Sequence, residues 1–289
     1  MGKKKRSGWN ELLKLVATDD GLPTRESGSW AGEKLFFWNR YIEITTNAMV
    51  GHRSWQSGMV YVDLFSGPGV CRDKKSGERF PGSPLIAANA PKSFERILLC
   101  DIDRDTCDAC EERLATSPAA GRYRIFHGDC NVQIDRIVSA IPRGALTLAF
   151  LDPTGLHLRF TTVKKLSAHG RVDLLILFPD AVDIQRNADH YYFEQTDSKL
   201  DQVLGEGSDW RKRKAEVAHT DAARKRRVFA EIYKDQLRRL AGYEFFDDEV
   251  INGPSGPLYR LVYATKHKRG LDFWTKSIKK ERSGQRRMF

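Results

Sequence analysis

The sequence predicts a doubly wound α/β fold with a helical insertion before its last two strands, and three observations carry that expectation. Short apolar runs alternate with segments of helical periodicity. Each run stops at polar residues, as strands do at the ligand-binding edge of a parallel sheet. One run, Val60-Tyr61-Val62, passes through Asp63-Leu64-Phe65 into Ser66-Gly67-Pro68-Gly69. Glycines there allow positive φ and let a ligand lie against bare backbone.

The 289 residues are 40% hydrophobic and 30% charged, enough for one large α/β domain or one domain with an insertion. Residues 1–57 read as a loose polar arm, 1–29, around a short helix at 10–17, followed by a helix over 33–49 with Leu35, Trp38 and Ile42 at helical spacing. Residues 58–180 form the predicted core. After the glycine turn, 71–80 (CRDKKSGERF) is charged and turn-like, and Ser83 is placed to cap a helix with Pro84 at its first position. A strand at 96–100 runs into Asp101-Ile102-Asp103, with Asp103 capping the helix that continues to Leu114. A strand at 123–126 is followed by His127-Gly128-Asp129. The run 146–151 (LTLAFL) is apolar throughout, as a central parallel strand should be, and ends in Asp152-Pro153-Thr154-Gly155. A fifth strand, 173–178, ends at Pro179-Asp180. Residues 181–241 break this rhythm and read as a basic helical insertion. Residues 242–289 supply two more strands, 243–251 and 258–265, and a tail packed through Phe273, Trp274 and Ile278.

The net charge of +10 favours an anionic partner, nucleic acid first. Two clusters suit phosphate contacts: Arg211, Lys212, Arg213 and Lys214, then Arg224, Lys225, Arg226 and Arg227. Tyr191, Tyr192 and Phe193 offer stacking faces for unpaired bases; the alternative is a solvated helix face over an aromatic core stripe. No apolar run is long enough for a membrane span, and the basic N-terminus has no apolar run behind it, so no signal peptide is expected. The 5 cysteines are scattered, which predicts reduced thiols and a cytoplasmic protein. Cys107-x-x-Cys110 has metal-pair spacing, but no second pair follows and the two fall in a helix, so no metal site is expected.

The glycine turn is a poor dinucleotide fingerprint, because Arg72 stands where a third Gly belongs. Asp63, Asp101 and Asp129 instead close successive strands. A carboxylate at the position of Asp101 suits two ribose hydroxyls, since it can accept both hydrogen bonds. This ordered set resembles class I S-adenosylmethionine (SAM) methyltransferases, which have a Rossmann-like sheet of seven strands with the last antiparallel. The resemblance implies SAM as cofactor, held around Asp63, Phe65, Gly67, Gly69, Asp101 and Asp129, with Asp63 at its methionine end and Asp129 at the adenine amino group. The segments VDLFSGPG, PGSPLIAANA, LAFLDPTG, LLILFP and LYRLVYATKHKRGLDFW are similar to the three-Cys-motif partner (TcmP) family over about Trp30 to Trp274. That likeness implies a radical-SAM-like partner bearing three cysteines. The shorter run PGSPLIA…ILLCDIDRD…IFHGDCN resembles rRNA adenine-N6 methyltransferases of the RlmJ kind.

In amino-methyltransferases a D-P-P-aromatic turn holds an exocyclic amine: the carboxylate and the next carbonyl accept its hydrogens and aim its lone pair at the methyl group. Asp152 and Pro153 supply the first half, and are the candidate catalytic residues. Thr154-Gly155 replaces the second half, leaving Phe160, Phe178 or a residue of the insertion to stack the base. No Pro-Cys dipeptide occurs, which argues against cytosine-C5 chemistry. The expectation is a SAM-dependent methyltransferase acting on an exocyclic amino nitrogen of nucleic acid. Two alternatives stand beside it: a noncatalytic accessory protein that partners a radical-SAM-like enzyme, and an NAD oxidoreductase, against which the missing third glycine counts.

Overall fold

A computed structural model describes residues 8–184, 192–254 and 256–279. They form two compact units, one running through Phe150 and resuming at Asp272, the other spanning Leu151–Leu271. The first carries α1 (Trp9–Val16), β1 (Arg25–Ser27), α2 (Trp30–Met49), β2 (Met59–Asp63), β3 (Val70–Asp73), β4 (Arg79–Pro81), α3 (Ser83–Ala88), β5 (Arg96–Asp101), α4 (Arg104–Ala115), β6 (Tyr123–His127), α5 (Cys130–Ser139) and β7 (Leu146–Leu151). The second carries α6 (Phe160–Ala168), β8 (Val172–Phe178), a π-helical turn (Asp180–Ile184), α7 (Lys199–Leu204), α8 (Trp210–Glu216), α9 (Ala222–Ala241), β9 (Phe245–Gly253) and β10 (Gly256–Thr265). Helix α10 (Lys268–Ile278) starts in the second unit and ends in the first.

Seven strands hydrogen-bond in the order β6-β5-β2-β7-β8-β10-β9. β2 is parallel to β5 and β7, β5 is parallel to β6, and β10 is antiparallel to both β8 and β9. A seven-stranded α/β sheet in this order, with a strand antiparallel to both its neighbours next to one edge, is the class I methyltransferase arrangement. Every residue of β2, β7 and β8 is buried, which is why these strands are continuous apolar runs rather than alternating ones.

The N-terminal segment departs from the expected loose arm. α1 buries Trp9, Leu12 and Val16, with Trp9 edge-on to Phe36 at 5.7 Å. β1 then pairs in parallel with β3, and β3 pairs antiparallel with β4. The charged stretch at 71–80 is thus a hairpin and not only a turn. Asp73 closes it by accepting the amides of Lys75 (2.9 Å) and Ser76 (2.8 Å). Arg79 on β4 donates to the Val16 carbonyl at 3.0 Å and pairs with Asp19 and Asp20, both at 2.7 Å. Gly82, not Ser83, occupies the cap position of α3. A Cβ on Gly82 would meet the Gly69 carbonyl carbon at 2.9 Å, so the loop before α3 closes tightly onto the glycine turn.

The core of the first unit centres on Trp38, which stacks on Phe150 (5.2 Å) and Tyr41 (5.4 Å). Tyr41 meets Trp274 edge-on, and Arg40 donates to the carbonyl of Ser277 at 2.8 Å, satisfying a helix-end acceptor of α10. In the second unit, Tyr233 on α9 stacks on Phe178 at 4.9 Å and takes Phe160 edge-on at 5.8 Å. Arg260 pairs with the buried Asp180 at 2.9 Å and with Asp248, which also receives Lys234. Burial raises the Asp180 carboxyl, and Arg260 opposes that rise. Among the described residues no helix is long and apolar enough to cross a membrane.

Candidate cofactor site

Strand β2 delivers Asp63, wholly buried, to the start of the glycine turn. Its Oδ1 accepts the Phe65 amide at 3.1 Å and its Oδ2 accepts the Tyr61 hydroxyl at 3.2 Å. The Trp38 indole donates to the same hydroxyl at 3.0 Å. Burial, then the charge of Asp63, holds the Tyr61 hydroxyl well above its ordinary range, so it stays a donor. Phe65 itself is half-buried.

The turn is fixed from several sides. The Ser66 amide donates to the Cys100 carbonyl at 2.9 Å, and the Gly67 amide donates to Asp101 Oδ2 at 2.9 Å. Gly67 and Gly69 are left-handed, at φ +65° and +89°, where a Cβ is strained. The Gly82 amide donates to the Gly69 carbonyl at 2.8 Å, and Arg113 donates to the Pro68 carbonyl at 2.6 Å. On the β5 side, Asp101 Oδ1 accepts the Asp103 amide at 3.1 Å. Asp103 caps α4 through the Thr106 amide at 2.7 Å, as expected from the sequence. Asp101 thus ties the glycine turn to the β5–α4 turn, while each oxygen keeps the capacity for another bond. β6 pairs with β5 through Asp101 and His127, and the Gly128 amide donates to the Asp101 carbonyl at 2.9 Å. Asp129 then caps α5: its Oδ1 accepts the Asn131 amide and side-chain nitrogen, both at 2.8 Å.

Asp63, Phe65, Gly67, Gly69 and Asp101 are therefore one connected edge, with Asp129 on the neighbouring strand end. Two features escaped the sequence reading. Ile102 and Val132 are 71% and 74% exposed, apolar side chains directly after Asp101 and in the first turn after Asp129. Large exposed apolar residues at such a place suit the flat face of a ligand. The available signal was their position just past two ligand-type carboxylates. The Ser66 Oγ is buried without a hydrogen-bond partner. Two carboxylates, bare left-handed backbone, an unsatisfied hydroxyl and exposed apolar faces together fit a nucleoside bearing an amino-acid end.

Thiol chemistry does not fit here. Cys100, Cys107, Cys110 and Cys130 are buried, and burial pushes the Cys107 thiol up to about 11 and Cys130 up to about 12, so both stay protonated. Among the described residues no group of side chains has the make-up of a metal site.

In the second unit, Asp152 is half-buried with Oδ1 shielded from solvent, Pro153 is buried and Thr154 is exposed. They follow β7, whose Phe150 is the register partner of Asp63. Phe160 and Phe178 are core residues around Tyr233 and present no stacking face, contrary to the expectation for them. Tyr191 lies outside the described residues. Phe193 is 38% exposed and edge-on to Trp210 at 6.0 Å.

The two basic clusters fall on α8 and α9, which pack together. Arg211 leaves the set of phosphate candidates, because its donors are already committed. They bind Asp201 at 2.6 and 2.9 Å and the carbonyls of Phe193 (2.8 Å) and Tyr192 (3.0 Å). Burial raises Asp201, but Arg211, Trp210 and Ser198 together hold it well below the usual carboxylate range. Arg213 bridges to Asp235 at 2.7 Å, Arg224 to Glu231 at 2.9 Å and Arg227 to Glu231 at 3.6 Å. Lys214 lies 5.1 Å over the Phe193 ring, and Arg226 is near Asp180. Lys212 and Lys225 form no ion pair among the described residues. A cleft of about 980 Å³ opens beside α8, lined by Asp197, Asp209, Trp210 and Lys212 among others.

No family model matches the chain, and no curated protein matches it significantly. Solved structures do overlap with it. An O-methyltransferase from Bacillus cereus in complex with SAH is 10% identical, over 89% of this chain and 90% of that one, with a TM-score of 0.47. A putative O-methyltransferase from Klebsiella pneumoniae is 12% identical, over 90% and 96%, at 0.46. A Legionella pneumophila protein of the DUF519 family model is 13% identical, over 80% and 85%, at 0.45. At these scores the strand order, not the overlap, carries the assignment of the fold.

Proposed function

We propose that this chain is a SAM-dependent methyltransferase acting on nucleic acid, at an exocyclic amino nitrogen of a base. The observation that supports it most is the convergence of Asp63 and Asp101 on one left-handed glycine turn, at the ends of adjacent parallel strands. In this reading Asp63 receives the ligand's ammonium, Asp101 its ribose hydroxyls, and Ile102 and Val132 its base. Asp129 Oδ1 is committed to the α5 cap, which leaves Oδ2 for the adenine amino group. The cofactor supplies an electrophilic methyl group. Asp152 and the carbonyl after Pro153 accept the two hydrogens of the target amine and orient its lone pair; positioning is the main contribution.

The nucleic-acid target is supported by the net charge of +10 and by the cations of α8 and α9 that remain after Arg211 is set aside: Lys212, Arg213, Lys214, Arg224, Lys225, Arg226 and Arg227. Lys212 and Lys225 are the most available to phosphate. The motif likeness to three-Cys-motif partners favours a radical-SAM-like protein as associate. A second reading, a noncatalytic accessory protein in that association, is favoured by Thr154-Gly155, which lacks the stacking aromatic of amino-methyltransferases.

Calorimetry with SAM, S-adenosylhomocysteine and NAD, followed by a labelled-methyl assay on total nucleic acid, tests the reading. Micromolar binding of the first two, none of NAD, and label in nucleic acid are expected. No heat with either SAM or its product overturns the cofactor assignment. Binding without transfer, even with a three-Cys-motif partner added, favours the accessory reading.

A further inference from the structure

We propose that Arg25, from the N-terminal arm, binds the carboxylate at the amino-acid end of the cofactor. The inference rests on the cofactor reading above and assigns to that site a residue no strand-end motif indicates.

β1 sets Arg25 beside the glycine turn, with Cys71 as its register partner on β3. A Cβ built on Gly67 would lie 3.7 Å from Arg25 Cδ, so the arginine stem lies along the turn itself. Its side chain is exposed, and its guanidinium makes no hydrogen bond or ion pair among the described residues. Two other arginines of this region are consumed. Arg79 binds Asp19 and Asp20, while Arg113 binds Asp20 at 2.7 and 2.9 Å and the carbonyls of Pro23 (2.8 Å) and Pro68 (2.6 Å). Arg113 thereby clamps the arm and the glycine turn to each other, three residues after Asp20 at Pro23 and two before Arg25. The position of Arg25 relative to the turn is set before any ligand arrives, which lowers the cost of binding.

The ligand's chemistry makes a cation necessary there. The amino-acid end of SAM carries an ammonium and a carboxylate. Asp63 and Asp101 suit the ammonium and the ribose, but both repel a ligand carboxylate. A guanidinium offers a planar fork that matches a carboxylate, and Arg25 is an uncommitted one in contact with the turn. Ser27 lies two residues along β1 on the same strand face, and its Oγ is buried without a partner, a second donor on that side.

The test is calorimetry on the full chain with two probes, S-adenosylhomocysteine and 5′-methylthioadenosine, which keeps the adenosine and thioether but lacks the amino-acid end. Arg25→Gln should weaken S-adenosylhomocysteine about tenfold, the effect of one charge-assisted contact, and leave 5′-methylthioadenosine unchanged. Arg25→Lys should restore part of the loss. Unchanged S-adenosylhomocysteine binding by Arg25→Gln overturns the assignment while leaving the cofactor reading intact. Equal loss for both probes also overturns it, because Arg25 then supports the turn rather than the ligand. Wild-type protein that binds neither probe overturns the cofactor reading, and this inference with it.

Discussion

At the glycine turn, Asp101 at a strand end accepts two backbone amides and keeps capacity for a ligand; on α8 and α9, arginines are largely paired with carboxylates of their own unit. The difference follows from where each charge sits. A strand that ends at a sheet edge leaves its last side chain beside the next turn, where backbone donors are few and fixed. A cation on a helix surface has neighbours one turn away and on the packed helix, and it finds a carboxylate. A charge at a strand end is therefore a better guide to a site than a run of like charges on a helix. The Arg113 clamp is the informative exception, an arginine wholly committed yet placed at the turn.

The largest expected effect breaks the first region through that clamp. Arg113→Met removes the contacts to Asp20, Pro23 and Pro68 and should cost about 3 kcal/mol of stability, measured by urea unfolding, because two carbonyls lose their donor and Asp20 keeps only its pair with Arg79. The same clamp predicts a pH dependence. Hydrogen bonds from Arg113 outweigh burial, and with Arg79 they hold the Asp20 carboxyl well below its usual range. A depressed carboxyl adds stability at neutral pH and loses it as pH falls below about 4 and through the folded value. Asp20→Asn should lower stability at pH 7 and flatten the acid side of the stability curve, as unfolding across pH will show.

Catalysis comes next in size. Asp152→Asn should retain SAM affinity yet lose methyl transfer by about 100-fold, since the orienting charge at the reacting nitrogen is gone. An Asp152 that only caps its turn would instead cost about 1 kcal/mol of stability with little change in rate. Arg211→Gln sharpens the contrast from the other region. It should cost about 2 kcal/mol of stability by releasing Asp201 and the 192–193 carbonyls, with little effect on the salt dependence of nucleic-acid binding. Lys212→Gln with Lys225→Gln should do the reverse: stability holds, and the slope of log affinity against log salt falls by about two. Equal slopes for the double variant and wild type would remove α8 and α9 as the binding surface.

Much of the sheet was legible because its central strands are buried on both faces and so appear as unbroken apolar runs ending in Asp63, Asp101 and Asp152. The β3–β4 hairpin was not, since only Val70, Asp73, Phe80 and Pro81 of it are buried, and its charges look like a loop. The arm's order was invisible for a different reason. It depends on Arg79 and Arg113 reaching Asp19 and Asp20 from 59 to 93 residues away, a pairing with no local signal. Phe160 and Phe178 follow candidate site residues in sequence, but both pack on Tyr233, a contact from a distant helix that leaves no local signal. Ile102 and Val132 were legible in position but not in exposure, which depends on what the fold leaves uncovered.

The central claim is that the glycine turn, not the helical region, takes the cofactor. Hydrogen exchange of the full chain with and without saturating S-adenosylhomocysteine tests it most directly. Slowed exchange is predicted for amides of 63–69, 101–103 and 128–132, with 192–227 unchanged. Protection confined to the cleft around Asp197, Asp209 and Lys212, or no protection at the turn under saturation, would contradict it.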